Sequence, residues 1–155
     1  MLNTQNLEDI VGQLGDVPLF QVFSAEELNL ILPYFEIRTF EVSTTLFEEG
    51  DRGDYVCIVL EGTIDIRKES LSGNQKISAK FGHGSIMGEM AIIDHYPRST
   101  TAKVTANSRL LILKRENFET LIEEAPQLAV RFLREIARML SLRLRRTSGR
   151  FSDIF

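Results

Sequence analysis

Glu89 and Arg98 are the two side chains of this sequence whose type and spacing could act on a small ligand. Glu89 follows Gly88 and opens a short apolar turn to Ile93. Arg98 stands nine positions later, at the opening of a Ser/Thr-rich strand. A helix N-terminus presents unpaired N–H groups and positive potential to an anion. An arginine near that turn can grip a phosphate through two parallel hydrogen bonds, and Ser99 adds a hydroxyl and an amide. A carboxylate beside a phosphate would be repelled, so Glu89 needs another task. It could pair with Arg98, or accept from a ligand hydroxyl as acidic residues do with ribose. Anion donors with one ribose acceptor describe a nucleotide pocket. The same residues would also make a surface ion pair at a turn, which contributes little, and spacing alone leaves both readings open.

Competing chemistry is sparse. There is no Gly-x-Gly-x-x-Gly run and no phosphate-loop lysine motif. His83 and His95 fall in turns without metal-ligand spacing, and Cys57 lies in the apolar run Tyr55–Leu60, where a free thiol packs as a small hydrophobe. These three residues make neither a hydrolytic triad nor a zinc site. No enzyme, metal or cofactor is expected.

The elements that must position the pair can be read from periodicity. Leu7, Ile10, Val11 and Leu14 share a helical face that stops at Gly15. Ser24 and Glu27 form a capping box, with Phe23 and Leu28 placed as a hydrophobic staple, and predict a helix to about Pro33. From 35 to 115 the pattern turns to strands, at 36–41, 44–48, 55–60, 63–68, 75–81, 98–105 and 109–114, punctuated by Gly50, Gly53, Gly62, Gly73, Gly82 and Gly84. Short strands at this pitch predict a sandwich or barrel. Helices return at 116–124 and at 126–146, with Pro126 in the first turn of the second. That last helix carries one apolar stripe of Ala129, Leu133, Ile136, Ala137, Leu140 and Leu144, and another of Leu128, Phe132, Met139 and Leu142. Two stripes imply two neighbours: the domain itself, and a second copy or a ligand.

Composition bounds the rest. A chain of 155 residues that is 43% hydrophobic, with ten Phe, can bury a core and is not disordered. No apolar run reaches spanning length, the first eight residues lack a signal-peptide pattern, and the single Cys fits a reducing compartment, so a cytoplasmic location is expected without membrane insertion. Residues 131–155 hold seven Arg against Glu135 and Asp153, within a chain of net charge −4, so an acidic body carries a basic end. That end lacks interleaved aromatics, and no recognition helix fits beyond 146, so nucleic acid is not an expected partner.

The run Phe81-Gly82-His83-Gly84-Ser85-Ile86-Met87-Gly88-Glu89-Met90-Ala91-Ile92-Ile93, followed by Pro97-Arg98-Ser99-Thr100-Thr101, resembles the phosphate-binding cassette of cyclic nucleotide-binding domains, the family found in the catabolite activator protein and protein kinase A regulatory subunits. Pro18-Leu19-Phe20 with Phe23–Leu28 resembles the family's helical entry. Glu49–Asp54 and Val59–Gly62 resemble its turns, so the likeness spans roughly 17–145. Met87, Met90 and His83 depart mildly from the pattern.

The resemblance implies a mainly β fold, an eight-stranded β-roll of double-stranded β-helix or jelly-roll type with N-terminal helices and a long C-terminal helix. The expected layout is one domain over 1–146 (helices 3–33, roll 35–115, helices 116–146) and a short tail, 147–155. It implies that Glu89 accepts the ribose 2′-hydroxyl and Arg98 pairs with the cyclic phosphate. Gly88, Ala91 and Ser99 would offer amides. Arg138, Met139 or Leu142 would touch the base from a lid helix. A hydroxyl after the Arg occurs in cGMP-preferring members and in bacterial cAMP binders; cAMP is the expected ligand and cGMP the alternative. The implied function is a regulatory sensor without its own effector domain, signalling through its C-terminal helices to an unknown protein effector or a second copy of itself. A ligand-independent scaffold of the same fold is the alternative.

Overall fold

The computed structural model describes the backbone of residues 4–152 and the side chains of 7–149. The predicted start at residue 3 and the last three residues of the tail lie outside the described residues.

Helix α1 (Thr4–Leu14) buries Ile10 and Leu14 on the predicted face. A 3-10 turn at Pro18–Phe20 follows, then α2 (Ala25–Ile31). Ser24 caps α2 by accepting from the Glu27 amide at 3.2 Å, and Phe23 and Leu28 are both buried. The Glu27 carboxylate turns to Arg131, 2.5 Å away, which ties the entry helix to the last helix.

Six strands form one sheet: β1 (Glu36–Phe40), β2 (Thr45–Phe47), β3 (Tyr55–Glu69), β4 (Gln75–Phe81), β5 (Ile86–Met87) and β6 (Thr101–Lys114). The order is β1-β6-β3-β4, with β2 also on β6 and β5 also on β3, all antiparallel. This corrects the expected mainly β, eight-stranded roll and the sandwich-or-barrel reading. The fold is mixed α/β, a six-stranded sheet flanked by helices, and among the described residues the sheet does not close. The physical reason lies in two bends taken for breaks. Segments 55–60 and 63–68 are one strand, because β3 passes Gly62 with its pairing to β6 shifted in register rather than ended. Segments 98–105 and 109–114 likewise merge into β6, which begins only at Thr101.

Alternation along the two long strands feeds two cores. Val56, Ile58, Leu60, Leu111 and Leu113 join the helices, while Cys57, Val59, Ile64, Ile66, Leu110 and Ile112 pack with Phe47 and Met87 on the other side. Burial pushes the Cys57 thiol up to about 12, so it is inert at neutral pH.

Helix α3 (Met90–Ile93) is a single turn, and α4 (Arg115–Glu124) leads into α5 (Pro126–Ser152). The last helix continues past the stop read at Arg146. Its buried residues are Leu128, Ala129, Phe132 and Ile136, and from Ser141 to Gly149 it is exposed. Phe132 sits between Phe35 and Phe118, each ring centroid 6.0 Å away.

The two nitrogens of His83 brace the N-terminal segment. Nδ1 lies 2.7 Å from Leu60 O and Nε2 lies 2.8 Å from Asp16 Oδ1. Two acceptors favour the doubly protonated ring. The bond to Asp16 therefore raises the His83 pKa, and the same bond lowers that of Asp16. Stability from His83 is fully present below the ordinary histidine value and is lost as pH rises through its raised value. That from Asp16 is present above the ordinary carboxylate value and lost as pH falls through its lowered one. Thermal midpoints measured across the histidine range should fall with rising pH in the wild type, and Asp16→Asn should flatten that slope.

Candidate functional site

The loop 48–54 and the segment 97–100 lie together. Arg98 N donates to Asp51 O at 2.7 Å, Gly50 N donates to Arg98 O at 2.8 Å, and Arg52 bridges to Pro97. This pairing, rather than a strand, holds Arg98 in place.

The Arg98 side chain is buried, 7% exposed. Its guanidinium carbon lies 4.1 Å from the Phe47 ring centre and 4.6 Å from that of Tyr55. Nη2 donates to Tyr55 O at 2.9 Å and Nη1 to Gly88 O at 3.4 Å, while Nε is buried without a partner. Two glycines make its slot. A Cβ at Gly53 would come within 2.9 Å of Arg98 Nε, and one at Gly88, where φ is +73°, within 2.3 Å of Nη1. Gly88→Ala should therefore displace the guanidinium. Losing a charge-assisted hydrogen bond of about 1.5–3 kcal/mol to the ligand corresponds to roughly a tenfold or larger loss of affinity, readable by calorimetric titration.

Among the described residues no carboxylate pairs with Arg98. The nearby acid, Glu89, is 6% exposed and bonds to Arg143 of α5, which also donates to Ile86 O at 3.4 Å. The surface Glu89–Arg98 ion pair that spacing left open is therefore not formed. Glu89, Arg98 and Arg143 line one cavity of about 210 Å³ with Gly88, Ala91, Ser99, Thr100, Asp94 and Tyr96, closed by Phe47, Ile66, Phe81 and Met87. Such a hollow, lined by apolar side chains together with the carboxylates of Glu89 and Asp94 and the guanidinium groups of Arg98 and Arg143, has the chemistry of a small-ligand pocket.

The other expected site residues are placed unevenly. Gly88, Ala91 and Ser99 all reach the cavity. The Ala91 amide, however, is used within the turn, donating to Gly88 O at 3.0 Å, and Ser99 is exposed with its carbonyl accepting from Lys68 Nζ at 2.7 Å. Arg138, Met139 and Leu142 do not line it. Arg138 is exposed and pairs with Glu135, Met139 packs against the helical core, and Leu142 is 43% exposed. Sequence reading missed Arg143. It continues the spacing Ile136, Leu140 at the next i+3 step, and a charge on an inward stripe is a signal that the stripe has met something polar.

Residues 37–125 match the family described as "Cyclic nucleotide-binding domain". The "Cyclic AMP receptor protein" of Thermus thermophilus is 33% identical over 83% of this chain, and a "CRP-like cAMP-activated global transcriptional regulator" of Mycobacterium tuberculosis is 25% identical over 96% of it. The chain spans only 57% and 63% of the length of these relatives. A cyclic nucleotide-binding domain from Methylobacillus flagellatus superposes with a TM-score of 0.83 at 28% identity, covering 97% of this chain and 85% of the other. Among the described residues no helix is long and apolar enough to cross a membrane. The match thus covers the cassette turn, the Arg98 slot and the sheet that holds them, and the chain belongs to the cyclic nucleotide-binding domain family.

Proposed function

We propose that residues 1–146 act as a single cytoplasmic sensor domain for cAMP, with Glu89 receiving the ribose 2′-hydroxyl and Arg98 the cyclic phosphate. The observation that carries the reading is the buried Arg98 guanidinium. It lacks a carboxylate partner among the described residues and shares one cavity with a buried acid. Buried charges are normally paired, and a singly charged phosphate supplies the missing partner. Gly88, Ala91 and Ser99 frame the sugar-phosphate, and the likeness to a cyclic AMP receptor protein and a cAMP-activated regulator favours cAMP over cGMP.

Output runs through α5. A ribose hydroxyl bound at Glu89 shares or displaces Arg143, so ligand affinity and the position of α5 become linked. Val130 and Leu144, both exposed and on one side of α5, offer a face to a protein effector or a second copy. Calorimetric titration of the folded chain with cAMP and with cGMP tests the reading. Saturable binding with cAMP the tighter ligand is expected. Absence of heat and of thermal stabilisation with either nucleotide would leave the ligand-independent scaffold in its place.

A further inference from the structure

We propose that Arg115 is the positioning residue that couples the Arg98 slot to helices α4 and α5, an inference that rests on the cyclic-nucleotide reading of the cavity. Arg115 is the first residue of α4, the end where a helix dipole disfavours a cation. Its side chain finds compensation in carbonyls of two other segments. Nε donates to Ala91 O at 2.9 Å, and Nη2 donates to Gly53 O at 2.8 Å and to Asp94 O at 3.1 Å. Its own amide donates to Asp54 O at 2.7 Å.

These are the segments that shape the anion site. Ala91 and Asp94 belong to the α3 turn and its C-terminal end, and both line the cavity. Gly53 is the residue against which both Arg98 Nε and the Ala91 Cβ rest, within 2.9 and 3.1 Å of where a Cβ would be. One planar fork therefore pins the cassette turn, the Arg98 slot and the start of α4 to one another. A shift of α3 or of Arg98 on phosphate binding is carried by Arg115 into α4. Helix α4 passes it to α5 through Phe118 against Phe132 and through a connection of the single residue Ala125. A lysine keeps the charge but lacks the fork that reaches three carbonyls.

The test compares wild type, Arg115→Lys and Arg115→Ala, using whichever of cAMP and cGMP the wild type binds more tightly. Affinity is read by titration, and amide exchange over 115–146 is followed with and without saturating nucleotide. Both variants should lose the nucleotide-dependent change in exchange and bind about tenfold or more weakly, given the charge-assisted bonds removed. A wild-type exchange response in Arg115→Lys overturns the proposal, whether or not its affinity falls, because a merely structural role would leave the coupling intact. Should the variants fail to fold, the Arg115 Nε–H resonance of the wild type decides: it must move on saturation, and an unmoved signal overturns the proposal. A wild type that binds neither nucleotide brings down the binding reading itself, and this one with it.

Discussion

Arg98→Ala should weaken cyclic-nucleotide binding by two to three decades while leaving the thermal midpoint close to that of the wild type. The two halves of this expectation have different causes. Binding loses the guanidinium seated among Phe47, Tyr55 and the Gly88 carbonyl, and removing one partner of a buried charge pair costs about 3–5 kcal/mol. Stability gains and loses in similar measure. Two hydrogen bonds to Tyr55 O and Gly88 O disappear and their acceptors lose a donor. A buried cation without a carboxylate partner among the described residues disappears as well, and with it a desolvation cost. Arg98→Lys should fall between wild type and alanine in affinity, because the ammonium keeps the charge without the bidentate geometry. Titration calorimetry beside a thermal melt reads both halves, and an unchanged affinity in Arg98→Ala would remove Arg98 from the site.

The largest effect on stability is expected from Gly62→Ala. Gly62 has φ of +96°, and a Cβ there would lie 2.1 Å from Ser108 Oγ, 2.6 Å from Asn107 O and 2.7 Å from Ser108 Cα. Two of these atoms are backbone, so no rotamer change makes room. The left-handed backbone and the overlap together should cost about 2–5 kcal/mol. Gly50→Ala is the internal control. Its φ is +92° but nothing lies within 4 Å of the added carbon, so it should cost only the conformational part, about 1 kcal/mol. Urea unfolding of both variants separates overlap from dihedral strain. Equal losses would mean that the two long strands do not approach at Gly62 as described.

Much of what surrounds the site was legible in the sequence because it is local. Ser24 and its helix, the turn after Gly88, and the apolar alternation of β3 and β6 each depend on residues a few positions apart. The open six-stranded sheet was not, and a closed roll was expected in its place, because closure depends on which edges meet, and a glycine that bends a strand reads the same as one that ends it. Gly62 was such a case, as was Asn107-Ser108 opposite it. At the site, Glu89 and Arg98 announced themselves by type and spacing, as did Gly88. The identity of the partner facing Glu89 was hidden, since Arg143 lies 54 positions away and helical register alone cannot say where a long helix will pass. Arg115 was silent for the same reason: its three carbonyl partners are backbone atoms, which carry no residue signature.

The stretch of α5 beyond its last fully buried residue, Ile136, gives the Glu89–Arg143 contact unusual mechanical weight. From Ile136 to Ser152 the helix extends about 24 Å at 1.5 Å per residue, with Arg143 gripping it nearly halfway along. If that grip loosens, the rod pivots about its seated base, and a tilt of only ~10° sweeps its far end through ~4 Å. An exchange of one hydrogen-bond partner in the cavity would thus be enlarged into a displacement that a neighbouring protein could feel.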